Sequence, residues 1–195
     1  MIAIIAWVGL AIQLRASYGL TGSLTQSLWV MVRYFTVITN LILALIFTGI
    51  ALGNRRCESG PVVGGVTLAI ILVGVIYGLL LQGSIELSGG AAVADLLLHK
   101  VTPILGVGYW AWFQRKGQLR PIHPWIWTLL PLAYFPYALL RGAIEGRYAY
   151  PFMDVDRIGW PATLLNGTLI ACGFLIAGFA MFWIDRRLAT GKRWG

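Results

Sequence analysis

PVVGGVTLAIILVGVIYGLLLQ, Pro61 to Gln82, contains no charged residue. A helix needs about 20 mostly apolar residues to cross the hydrocarbon of a bilayer. This run has that length without interruption. In lipid, such a stretch satisfies its backbone polar groups only by forming a helix. Five further apolar runs flank it, at about 2–18, 28–53, 91–113, 121–140 and 160–184. The first is short, and it lacks the basic start and small-residue cleavage site of a signal peptide. Turn-forming linkers separate the runs: GNRRCESGP before the third, SGG before the fourth, QRKGQLRP before the fifth. The longest connection, RGAIEGRYAYPFMDVDRIGWP, joins the fifth to the sixth. The expected fold class is all-α: a polytopic membrane protein whose residues 1–195 form a single bundle of six transmembrane helices.

Composition supports this reading. Of 195 residues, 58% are hydrophobic and 11% charged. A soluble domain is about a quarter charged, so this chain has too few charges to coat a soluble surface. The net charge of +8 does not indicate nucleic acid. The basic residues lie mostly between apolar runs, without interleaved aromatics, where they set topology and meet anionic lipid. The 24 glycines and 9 tryptophans suit close helix packing and the headgroup interface. Cys57 and Cys172 provide neither a disulfide framework nor a metal-ligand spacing, and no cofactor is implied. No internal duplication is evident, which disfavours repeat-built transporters.

With six spans, both termini share a face. Arg55, Arg56, Arg115, Lys116, Arg120, Arg186, Arg187, Lys192 and Arg193 fall on it. Arg15, Arg141, Arg147, Arg157 and the interfacial Arg33 fall on the other, with Glu86, Glu145, Asp154 and Asp156. The nine-to-five excess of basic residues places both termini in the cytoplasm.

Ionisable groups inside a span are costly and mark function by default. RYFTVITN, Arg33 to Asn40, carries Arg33, Thr36 and Asn40 at i, i+3 and i+7, on one face of a helix. ADLLLHKVTP carries Asp95 and His99 one turn apart, with Lys100 beside them. A carboxylate one turn from an imidazole can accept its N–H and fix its tautomer. The hydroxyl that would complete a nucleophile–base–orienter set is that of Thr36. At about 1.5 Å per residue, Thr36 and His99 lie at equal depth from the outer ends of their spans. Tyr134, Tyr137 and Arg141 on the fifth span, and Thr163 and Asn166 on the sixth, converge on the same depth, which suggests a polar pocket in the outer half of the bundle with Tyr134, Tyr137, Arg141 and Asn166 as substrate-binding candidates. Simpler roles stand beside these. A membrane threonine commonly bonds its own i−4 carbonyl, Asp95 can neutralise Arg33 or Lys100, and Asn40 can act as interhelical glue. His123 reads as an interfacial residue without chemistry.

Three places together, RYFTVITN, LLLHKVTP and RYAYPFMDV, resemble the androgen-induced-gene family of integral membrane lipid hydrolases and its bacterial predicted six-transmembrane branch. The resemblance covers most of the chain. It implies a threonine hydrolase acting on fatty acid esters of hydroxy fatty acids, in a bacterial inner membrane. The family's threonine falls on Thr36 and its histidine on His99. Asp95 would orient His99, a role taken from spacing alone. Arg33 or Lys100 would bind the free carboxylate of such a lipid, and Asn40 or Asn166 would stabilise the oxyanion. The partners are then a membrane acyl-ester lipid and the bilayer, without nucleic acid. A transporter using the same buried charges and a non-catalytic scaffold are the alternatives.

Overall fold

The computed structural model describes residues 1–83 and 87–190. Glu86, Lys192 and Arg193, used in the charge count, lie outside the described residues. All regular structure among the described residues is helical: α1 (Ile2–Thr21), α2 (Leu24–Met31), α3 (Phe35–Ala51), α4 (Gly60–Ile76), α5 (Gly89–Leu96), α6 (Thr102–Trp112), α7 (His123–Glu145) and α8 (Val155–Thr190). A π-helical turn, Tyr77–Leu81, extends α4. A second, Leu97–Val101, fuses α5 to α6. A short 3-10 turn, Pro151–Met153, precedes α8, and Gly159 kinks α8 near its start with a φ of 77°.

Four of these helical segments are long and apolar enough to cross a membrane: α1, α4 with its π turn, the fused α5–α6 helix, and α8. The α2–α3 pair makes a fifth if it is taken as one span bent by 96°. Helix α7 is 23 residues long but falls outside this set. Pro131, Pro136, Tyr134, Tyr137, Arg141 and Glu145 dilute its apolar character. Length and apolar character thus give four or five spans against the expected six.

The run at 28–53 is not one straight helix. It breaks at Val32–Tyr34, where Tyr34 is extended (φ −97°, ψ 129°). No proline or glycine lies there. The break forms because α7 takes the carbonyls that end α2, which a continuing helix would use. Tyr134 donates to Arg33 O at 2.7 Å and Tyr137 to Val32 O at 3.1 Å. Arg141 donates to Trp29 O and lays its guanidinium 4.1 Å from the Trp29 ring centre. Glu145 accepts from Arg33, from Arg141 Nε at 2.6 Å, and from Trp29 Nε1 at 2.8 Å. The predicted shared face of Arg33, Thr36 and Asn40 therefore loses Arg33, which sits in the break. Thr36 and Asn40 remain one turn apart on α3.

The second irregularity has its cause in the sequence. A proline ring excludes the carbonyl four residues earlier. Pro103 would clash with His99 O in a regular helix, and the chain widens into the π turn at Leu97–Val101 instead. Two close approaches hold that turn. A Cβ at Gly9 would stand 2.8 Å from Leu98 Cδ2, and one at Gly74 3.1 Å from Pro103 Cβ. Glycine at those positions lets α1 and α4 press against the turn. Around it, α1 packs on α3 and α5, α4 packs on α3 and α6, and α7 packs on α8. Leu43, Ile70 and Leu98 are buried at the centre of the larger core cluster. At the other end of the bundle, Asp185 accepts the amides of Gly117 and Leu119 at 2.9 and 3.0 Å, tying the α6–α7 loop to α8.

Replacing Glu145 by Gln leaves two guanidiniums in the break without their carboxylate. Removing one partner from such a buried cluster costs about 3 kcal/mol. The expected outcome is a clear fall in the thermal unfolding midpoint of the detergent-solubilised protein. An unchanged midpoint would mean that the cluster does not hold the break.

Candidate active site

Thr36 is the second residue of α3, immediately after the break. His99 lies in the π turn between α5 and α6. The two meet, with Thr36 Oγ1 3.1 Å from His99 Nε2. On the other side of the imidazole, Nδ1 lies 3.0 Å from Asp95 Oδ1 and 3.2 Å from the Asp95 carbonyl. A carboxylate only accepts, so the proton between Asp95 and His99 belongs to Nδ1. That leaves Nε2 as an acceptor for the Thr36 hydroxyl. The His99 and Asp95 side chains are each 18% exposed, while Thr36 is buried.

A fourth residue completes the row. Tyr77, in the π turn that ends α4, donates to Asp95 Oδ2 at 2.5 Å. Its ring also stacks on the His99 imidazole, with centroids 4.3 Å apart and planes inclined by 21°. Tyr77 thus bonds the orienting carboxylate and covers one face of the base. Sequence reasoning passed over it. The available signal was a tyrosine among aliphatic residues in the run 61–82, at the outer depth already assigned to the other polar groups.

Thr36 also lines a cavity of about 300 Å³ between α4, α7 and α8. Tyr150 and Phe152, stacked at 5.1 Å, line it from the connection before α8. The Tyr150 side chain lies beside the Thr36 side chain and the Phe35 and Thr36 amides. Those amides open α3, where the first N–H groups of a helix have no intrahelical partner.

Of the other expected binding residues, the structure brings only Tyr134 into the cavity lining beside Thr36. Arg33 and Arg141 are engaged with Glu145, and the Tyr134 and Tyr137 hydroxyls are directed to the carbonyls of the break. Asn40 is fully buried. It donates to Thr36 O at 2.9 Å and to Leu98 O at 3.1 Å, and accepts from Thr102 Oγ1 at 2.7 Å. With these three bonds, it links α3 to the π turn and does not point at a substrate carbonyl. Asn166 donates to Phe152 O at 3.0 Å and anchors the turn before α8. Thr163 returns its hydroxyl to Gly159 O at 2.9 Å. Lys100 is exposed, its ammonium 5.7 Å from the Tyr77 ring centre. Among the described residues, no group of three or more His, Cys, Asp or Glu side chains is placed to hold a metal ion.

Comparison with protein-family models, curated proteins and solved structures finds no match to this chain.

Asn40→Ala removes the link between the two helices that carry Thr36 and His99. It removes the bonds to Leu98 O and from Thr102 Oγ1, which keep each other as partners at 3.2 Å, at a cost of about 1 kcal/mol per lost bond. A lowered thermal midpoint is expected. A variant with wild-type stability that fails only in turnover would return Asn40 to a role at the reacting carbonyl.

Proposed function

We propose that this chain is an integral membrane ester hydrolase with Thr36 as nucleophile, His99 as general base and acid, and Asp95 as the group that orients His99. The observation that carries the reading is the continuous row Thr36–His99–Asp95, at 3.1 and 3.0 Å. Its three residues come from two separate helices. A structural threonine satisfied by its own i−4 carbonyl would not need a distant imidazole. A hydroxyl is a weak nucleophile until a base lies within hydrogen-bond reach, and His99 Nε2 supplies that base.

In the proposed reaction, His99 Nε2 takes the Thr36 proton as Oγ1 bonds to the ester carbonyl carbon. The imidazolium so formed is stabilised by Asp95. The carbon–oxygen bond to the leaving alcohol then breaks, and His99 returns its proton to that alcohol. Water, deprotonated by His99 in turn, attacks the acyl-Thr36 ester; the acyl carbon–Oγ1 bond breaks, His99 returns the proton to Oγ1, and the free acid leaves. The Phe35 and Thr36 amides at the start of α3, which meet the Tyr150 hydroxyl, would serve as donors for the oxyanion when the ester carbonyl takes the place of that hydroxyl. They replace Asn40 and Asn166 in that role. The resemblance in RYFTVITN and LLLHKVTP narrows the substrate to a lipid acyl ester, with fatty acid esters of hydroxy fatty acids as the leading class. In this reading the bent α2–α3 pair and α7 each count as a crossing, which makes six in a bacterial inner membrane, and the excess of basic residues then puts both termini in the cytoplasm. The site then lies in the outer leaflet.

Labelling the purified protein with a hydroxyl-directed fluorophosphonate tests the nucleophile. The expected outcome is modification at Thr36, lost in Thr36→Ala and in His99→Ala, with both variants retaining the wild-type helical content. Label that maps elsewhere, or full ester turnover by either variant, would overturn the assignment. Tyr77→Phe keeps the stacked ring and removes the bond to Asp95. It should lower kcat about tenfold while leaving KM within about twofold, as expected for a group acting through the base.

A further inference from the structure

We infer that the cavity between α4, α7 and α8 binds the acyl arm of the substrate as a single, uncharged alkyl chain that enters sideways from the bilayer. The inference rests on the reading of Thr36 as nucleophile, and it assigns which part of the ester lies where. Phe35 and Thr36 line one end of the cavity. Its walls are aliphatic and aromatic: Leu72, Val73 and Ile76 of α4 face Ile170 and Ala171 of α8. The few polar groups in the lining are largely engaged. Thr168 donates to Leu164 O at 2.8 Å, and Tyr134 donates to Arg33 O. No charged side chain lines the cavity. A carboxylate, phosphate or sugar would enter this space without partners, at a cost of several kcal/mol.

Size and position narrow the occupant further. The cavity volume of about 300 Å³ is at the lower end for small-ligand sites. It holds on the order of ten methylenes if each takes about the volume of a water molecule. That is room for one chain and not for the paired chains of a diacyl lipid. Leu132, Leu164 and Cys172 are lining residues exposed at the surface. Leu164 and Cys172 lie eight positions apart on α8, so the mouth runs along about 12 Å of that helix. The exposed lining residues Leu164 and Cys172 place the mouth on α8. This is a helix face apolar enough to meet lipid. An acyl chain therefore passes from hydrocarbon to hydrocarbon, and its ester carbonyl stops at Thr36.

Cys172 reports on the mouth directly. With Cys57→Ser it is the sole cysteine, and with Thr36→Ala the bound ester is not consumed. The experiment measures the rate of Cys172 alkylation by N-ethylmaleimide in detergent, with 4-methylumbelliferyl palmitate or 4-methylumbelliferyl acetate. Palmitate is expected to slow alkylation by at least about tenfold and acetate not to slow it. Equal rates with the two esters would overturn the proposal. In the otherwise wild-type protein, Ala171→Trp fills the cavity. The ratio of kcat/KM for palmitate over acetate should then fall on the order of a hundredfold. An unchanged ratio would overturn the proposal as well. If the wild-type protein hydrolyses neither ester, the hydrolase reading fails, while protection of Cys172 still decides the cavity.

Discussion

Glu145 holds two arginines across a gap in a helix, and the position of Thr36 depends on it. A straight helix from 28 to 53 would bury Thr36 in mid-span, with its amide bonded inside the helix. The bend makes Thr36 an N-terminal residue of α3 instead. It gives Thr36 and Phe35 amides without helical partners and turns the hydroxyl toward His99. Bending costs the carbonyls of Trp29, Val32 and Arg33 their helical partners. Arg141, Tyr137 and Tyr134 restore them from α7. The charges that looked like a substrate-binding set are thus the means by which a broken helix is held in an apolar environment. One nitrogen, Arg33 Nε, is left buried without a partner. Two guanidiniums share one carboxylate, so the cluster keeps a positive charge beside the α2–α3 break.

The helices themselves were legible because apolar run length alone almost determines them. Runs 61–82, 91–113 and 160–184 correspond to α4 with its π turn, to the fused α5–α6 helix and to α8. The break in α2–α3 was not legible. RYFT contains no helix-breaking residue, and the donors that stabilise the break come from α7, more than a hundred positions away. In the site, Asp95 and His99 could be paired from their i, i+4 spacing, and Thr36 could be matched to His99 by depth. Tyr77 could not be assigned by spacing, since its partner lies on another helix and only packing brings them together. Arg33, Arg141 and Asn40 were read as ligands for a substrate because buried polarity attracts that reading. Their partners turn out to be other residues of the same chain.

Both π turns carry members of the site, and this has a physical basis. A regular helix offers a side chain only the directions allowed by its period. One wider turn re-aims the residues it contains and frees a carbonyl. Pro103 forces this at His99. The imidazole then reaches α3 through Nε2 while keeping its bond to Asp95 one turn back. Tyr77 opens the matching turn on α4, and its ring and hydroxyl close the other side of His99. Gly9 and Gly74 complete the device by bringing α1 and α4 within contact of the widened segment. His99 is therefore fixed from α1, α4 and its own helix, while Thr36 comes from α3.

The two sides of Thr36 differ in a way that suits a two-step ester hydrolysis. On one side lies an apolar cavity suited to an alkyl chain. On the other lie His99 and Asp95, each partly exposed. Acyl transfer to Thr36 needs the chain, and release of the acid needs water at His99. A single mixed entrance would bring water along the chain and hydrate the carbonyl before attack. Under the proposed function, separate approaches would keep the acyl arm in the cavity while His99 stays reachable from its own exposed side. The leaving alcohol must depart past His99, which gives it a proton, so that arm of the ester is the one that can carry a polar or charged group. The buried pairing of Arg33 and Arg141 with Glu145 fits this division. Neither arginine lines the cavity, so under the proposed function a charged group of the substrate would lie on the His99 side of Thr36.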